Sequence, residues 1–212
     1  GGWRVVIVDP ADDMNTNAAN ALLKNLEEPP RKTLFVLIAH EPGRLLPTIR
    51  SRCRLERLQP LTEAKIVAAL AAIGADLPET ETARAELAHR AEGSVRRALL
   101  LTLYGGLEIA AAVGDLLSAQ HFSYGAAAKL ADAVTQRDNP MQFDLFIDAT
   151  LELLSERAQA AALAGDSATA SRMAELWSDL RSRVRDLETY NLDKRQLVME
   201  TMALLHREMT PA

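Results

Sequence analysis

Four arginines, Arg50, Arg52, Arg54 and Arg57, fall within the stretch Leu45–Leu58, beside enough apolar residues to anchor a turn. A guanidinium is permanently charged and forked, so the pattern is either a solvated positive edge or a device that sets one guanidinium accurately on an anion. Asp9 is a second group with chemistry, because it closes the apolar run Val5-Val6-Ile7-Val8. An apolar strand ending in aspartate is the form of a Walker B element, whose carboxylate helps hold Mg²⁺ on a nucleotide. The next residue is Pro10, and the acids Asp12 and Asp13 come later and on a different face. No carboxylate is therefore placed where it would activate a hydrolytic water within hydrogen-bond reach. Gly93-Ser94-Val95-Arg96-Arg97 is a third feature, with a helix stop, a cap and arginines at a helix start. On its own it is also an ordinary capped helix with solvated arginines.

Other reactive residue types are sparse. Cys53 is the single cysteine, so this stretch forms neither an intrachain disulfide nor a thiolate cluster, which fits a reducing compartment. No histidine is placed by the sequence to make Cys53 a catalytic thiol. His40, His89, His121 and His206 lie far apart, which argues against a metal site.

The elements that position these residues begin with Arg4–Asp9, a continuous apolar run that predicts a strand buried on both faces of a parallel sheet. Asn15 or Thr16 caps a helix to Glu28, with Ala18, Ala19, Leu22, Leu23 and Leu26 on one face, and Pro29-Pro30 ends it. Thr33–Ala39 predicts a second parallel strand, giving a βαβ unit. Asp9 then sits at the carboxyl end of the sheet, where open α/β sheets place their ligand crevice. Pro47 opens a short helical turn, and Cys53–Leu58 is expected to be a third strand.

Beyond Gln59-Pro60-Leu61 only helical patterns follow. Helices are predicted over about 62–73, 80–92, 95–104 and 107–118, then 124–137, 140–164, 167–188 and 194–209. Their breaks carry the residues that stop and start helices: Gly74, Gly93, Gly105-Gly106, Asn139-Pro140, Gly165-Asp166 and Asn191 to Asp193. The last four are expected to form a scaffold bundle, since their Leu, Met and Trp stripes are core patterns. Over 212 residues the hydrophobic fraction is 48% and the aromatic fraction 4%, so the core must be largely aliphatic helix-on-helix packing. A formal charge of −5 argues against a module that holds nucleic acid unaided. No apolar run approaches the ~20 residues of a membrane span. Gly1-Gly2-Trp3 enters a buried-type strand with no Met, so the chain is expected to be a fragment lacking its upstream half.

Two motifs carry a resemblance. Asn20-Ala21-Leu22-Leu23-Lys24-Asn25-Leu26-Glu27-Glu28-Pro29-Pro30 and Ile49-Arg50-Ser51-Arg52-Cys53, in that order and spacing, resemble the clamp-loader subunits of bacterial DNA polymerase III and their replication factor C relatives. The resemblance implies a partial AAA+ α/β domain over 1–58, a helical lid over 59–118 and a helical collar over 119–212, an α/β plus all-α architecture. It implies that Arg52, with Ser51 and Cys53 as its motif, is an arginine finger acting in trans on ATP-Mg held by a neighbouring subunit. Arg96 corresponds to the family's sensor 2 arginine, and Asp9 to a Walker B remnant. Two departures, Pro10 in place of a glutamate and Ala39-His40 at the sensor 1 position, make the pattern most similar to the non-hydrolysing delta-prime branch.

Implied partners are the tau/gamma motor subunits and delta, with the sliding clamp and primer–template DNA met through the assembled complex, in the cytoplasm and away from membranes. No cofactor or metal is expected in this stretch, and no polymerase or ATPase activity of its own within the holoenzyme. Three alternatives stay open: an active tau/gamma-type ATPase, an interaction scaffold, and a nucleic-acid contact through Arg50 or Arg54.

Overall fold

The computed structural model describes residues 2–209. The chain divides into two compact units, one ending at Gln59 and one beginning at Pro60.

In the first unit, β1 (Arg4–Val8) and β2 (Thr33–Leu37) pair in parallel, with Arg4 opposite Thr33 and Val8 opposite Leu37. The helix between them, α1 (Thr16–Glu27), starts where Asn15 Oδ1 accepts from the Ala18 amide at 2.9 Å. Pro29-Pro30 then allow no continuation. A short helix, α2 (Pro47–Arg50), follows with Pro47 at its first position. Ala19, Leu22 and Ile49 form the buried centre, and Phe35, Leu37, Leu46 and Cys53 pack around it.

Two expectations are corrected here. The strands are covered on one face only: Val5, Ile7, Leu34 and Val36 alternate outward and are exposed. A continuous apolar run shows that both faces suit burial, while this unit's helices pack against one. Cys53–Leu58 is not a strand either. After a bend at Cys53 the chain runs without ladder hydrogen bonds, and Leu55 and Leu58 face outward. A strand is made by its ladder partner, and this segment has none among the described residues, where the sheet consists of β1 and β2.

The second unit is helical throughout: α3 (Glu63–Ala72), α4 (Glu81–Arg90), α5 (Val95–Leu103), α6 (Gly106–Ser118), α7 (Tyr124–Val134), α8 (Pro140–Leu163), α9 (Ser167–Tyr190) and α10 (Lys194–Met209). The predicted boundaries are met to within a few residues, because the caps are local. Thr80, Ser94, Ser123 and Asp166 each accept from a backbone amide three residues on. Asn191, at φ 51°, ends α9 in the left-handed region.

Helices α3, α4 and α5 pack on one another, α5 also packs on α6, and α8 lies along both α6 and α9. One hydrophobic core runs from Ile66 and Leu70 through Leu101, Val113 and Phe146 to Met202 and Leu205. Arg195 Nε on α10 pairs with Asp132 on α7 at 2.6 Å. Among the described residues no single helix is long and apolar enough to cross a membrane.

Candidate functional site

The turn after α2 is rigid for local reasons. Ile49 is fully buried and fixes the helix to the core. The Ser51 hydroxyl donates to the Thr48 carbonyl at 3.0 Å, and the amides of Ser51, Arg52 and Cys53 donate to Pro47, Ile49 and Arg50. Cys53 packs into the core, and burial pushes its thiol pKa up, away from a reactive thiolate. The Ser-Arg-Cys sequence thus divides its labour, with the flanking residues anchoring the turn and Arg52 left at the surface.

The Arg52 guanidinium folds back. Its Nη1 donates to the Thr48 carbonyl at 2.9 Å and to Ser51 Oγ at 3.5 Å, while Nη2 meets Glu27 Oε1 at 2.8 Å. Glu27 is the last residue of α1, inside the Leu-Glu-Glu-Pro-Pro motif, so one ion pair joins the two motifs. Sequence reasoning missed Glu27 as a partner, although it lies inside the first of the two motifs. The pair is open to water, with 37% of the Arg52 side chain and 45% of the Glu27 side chain exposed. Such pairs contribute about 0–1 kcal/mol, so the guanidinium is held in a defined place yet released at little cost.

The other arginines of the stretch behave differently. Arg54 pairs with Glu56 on the irregular segment after Cys53, whereas Arg50 and Arg57 are exposed and form no ion pair among the described residues. This distribution singles out Arg52 as the one guanidinium of the four that is oriented by several partners.

Asp9 is exposed at the end of β1, just before a cis bond to Pro10, and its carboxylate has no hydrogen-bond or ion-pair partner among the described residues. Asp12 is engaged instead. Its carboxylate accepts from the Glu41 amide at 2.8 Å and the His40 amide at 3.3 Å, tying the turn after β1 to the turn after β2. The Glu41 amide is the main cause that holds the Asp12 carboxyl below its usual range, which makes it a weak base. Asp13 faces Arg44 at 3.8 Å. Both acids that follow Pro10 are therefore spent on structure.

Arg96 lies in the second unit, exposed in the first turn of α5 and without an ion pair or hydrogen bond among the described residues. Its neighbour Arg97 takes the acids, meeting Glu92 at 2.5 Å and Glu152 at 3.5 Å. The structure thus groups Asp9 and Arg52 in one unit, without a contact between them, and Arg96 in the other.

A family profile described as "DNA polymerase III, delta subunit" matches residues 1–62. DNA polymerase III subunit delta-prime of Pseudomonas aeruginosa is 42% identical over 155 residues, 73% of this chain and 46% of that protein. Subunit delta-prime of Escherichia coli is 57% identical over 63 residues, 30% of this chain and 19% of that protein. The chain is similar to delta-prime subunits of DNA polymerase III, by the profile over its first 62 residues and by the Pseudomonas aeruginosa protein over 73% of its length. The matched profile contains Asp9, Glu27 and Arg52, whereas Arg96 lies outside it. Similarity extends across the branch point, since DNA polymerase III subunit tau/gamma of Haemophilus influenzae is 38% identical over 117 residues, 54% of this chain and 16% of that protein. The chain spans less than half the length of each of these relatives.

Proposed function

We propose that this delta-prime-like chain acts in the DNA polymerase III clamp loader as a stator, supplying Arg52 in trans to ATP-Mg bound by a neighbouring motor subunit. The observation that carries the reading is the setting of Arg52. A core-anchored turn presents one guanidinium, held by an open ion pair to Glu27 that it can leave with little loss. A guanidinium placed against a transferring γ-phosphoryl group stabilises the charge that develops on its oxygens. The chain's own strand end supports the division of roles, because Asp9 is followed by Pro10 and the nearby Asp12 and Asp13 are engaged elsewhere.

In this reading the first unit is part of an AAA+ domain, residues 59–118 are its lid, and 119–212 are the collar through which the chain assembles with tau/gamma and delta subunits. Clamp and primed DNA are then met by the assembled complex in the cytoplasm. Asp9 is a Walker B remnant and Arg96 a sensor 2 counterpart.

The test is reconstitution of the full complex with Arg52→Ala and Arg52→Lys. DNA-stimulated ATP hydrolysis at the site Arg52 serves is expected to fall by about a thousandfold, the lower range for arginine fingers. Assembly is expected to persist, and lysine to rescue poorly because it lacks the fork. Unchanged hydrolysis with intact assembly would refute the assignment. A tau/gamma-type motor is the second reading, favoured by the Haemophilus influenzae similarity. It requires hydrolysis by the isolated intact protein.

A further inference from the structure

Helix α8 carries a carboxylate whose partners both come from other helices. Glu152 Oε2 accepts from Arg90 Nη1 at 3.1 Å and faces Arg97 Nη2 at 3.5 Å, and only 14% of the Glu152 side chain is exposed. Arg90 is the last residue of α4 and Arg97 lies in the first turn of α5, so the two cations bracket the corner Ala91-Glu92-Gly93-Ser94. Each arginine also has a local acid, Glu86 for Arg90 and Glu92 for Arg97, both at 2.5 Å.

The corner is unusual in its backbone. Glu92 and Gly93 are consecutive left-handed residues, at φ 46° and 78°. For the non-glycine residue this conformation costs about 1–2 kcal/mol and persists only where its surroundings hold it. Gly93 is also a docking point. Its carbonyl accepts from the Leu61 amide at 3.0 Å, and a Cβ placed there would lie 2.4 Å from Pro60 Cβ and 2.6 Å from the Leu61 nitrogen. Pro60 and Leu61 are the residues with which the helical unit begins.

We propose that Glu152 is a remote latch: by holding Arg90 and Arg97 it fixes the α4–α5 corner, and through Gly93 it clamps Pro60-Leu61, the point at which the chain enters the helical unit. The inference goes beyond the role given to Arg52 and does not depend on it. The main helix packing runs from α4 to α5, from α5 to α6 and from α6 to α8, and the ion pairs of Glu152 add a link from α8 straight to the corner.

Electrostatics supports a specifying role over a stabilising one. Burial raises the Glu152 pKa, and Glu156 and Glu92 add to this, although Arg90 and Arg97 act against it. A charge kept at a desolvation cost contributes little net stability, so the role proposed for Glu152 is to select one arrangement of its partners. The cleft beside the pair, lined by Arg90, Arg97, Leu101, Leu145, Asp148 and Glu152, has room for about one water.

The Leu61 amide reports directly on the clamp. Hydrogen exchange is to be measured on the full chain with Glu152→Gln, and with Gly93→Ala as a steric release of the same anchor. Because each arginine retains its local acid, Glu152→Gln leaves no orphaned cation. Its expected effect is at least about a tenfold rise in exchange at Leu61 and in the first turn of α5, with the middle of α8 and the melting temperature unchanged. Leu61 protection that is unchanged in Glu152→Gln but lost in Gly93→Ala overturns the latch. So does a uniform rise at all amides with a lower melting temperature, which would make Glu152 a structural residue only.

Discussion

Glu27 and Arg52 stand 25 positions apart in the chain and 2.8 Å apart in space. Their pair is exposed, so Glu27→Gln is expected to change stability by less than about 1 kcal/mol in chemical denaturation. If Glu27 holds the guanidinium between encounters, the same variant in the reconstituted complex gives equal or higher ATPase, never the loss expected of Arg52→Ala. The arginine was legible in the sequence because its motif is contiguous, whereas its partner was not, since the pairing is made by the fold. Arg96 and Arg97 show the same limit. Adjacent in sequence, they differ wholly in partners, and nothing local indicates which one faces an acid.

Asp12 adds a pH dependence at this scale. Its folded-state pKa is depressed, chiefly by the Glu41 amide, below the ordinary 3.8. The stability it contributes is therefore present above 3.8 and lost as pH falls through the lower folded value. Acid titration of unfolding is expected to show a shallower acid limb for Asp12→Asn than for the parent.

At the scale of elements, helix boundaries were legible because their caps act over three residues, as at Asn15, Thr80 and Ser94. The strands were legible in position and direction but not in coverage. Alternate residues of β1 and β2 face out, and an apolar run cannot say which of its faces the chain itself will cover. The contrast gives a stability prediction. Ile49→Ala, which empties a fully buried site, is expected to cost about 2–5 kcal/mol. Ile7→Thr, on the outer face at 64% exposure, is expected to stay within about 1 kcal/mol when the chain is studied alone. Denaturant midpoints of the two variants check both values. The false third strand belongs here too: Leu55 and Leu58 have strand character, but pairing is a property of two segments and the pattern of one segment does not contain it.

At the scale of the molecule, two compact units meet at Gln59 and Pro60, and their cores are built differently. The first rests on Ala19, Leu22 and Ile49 beneath a two-stranded sheet, while the second draws on every helix from α3 to α10. Composition indicated the second, since an aliphatic chain with 4% aromatics packs helix against helix. The boundary itself was legible at Gln59-Pro60-Leu61, where strand patterns cease. The anchoring of that boundary by Gly93 was not, because a glycine after a helix is explained equally well as a stop signal.

The unpaired run from Arg54 to Gln59 has a practical consequence for handling the protein. Proteases require a substrate that can extend into their cleft, and helices resist this unless they unfold locally. The Arg54–Leu55 and Arg57–Leu58 bonds already lie in irregular, exposed chain, and Leu58 is 96% exposed. Brief trypsin treatment is expected to cut there and leave a large resistant fragment whose new first residue is Leu55 or Leu58. The clamped Pro60-Leu61 would then be its protected leading edge. N-terminal sequencing of that fragment reads the outcome, and a first stable cut inside α8 or α9 would contradict it.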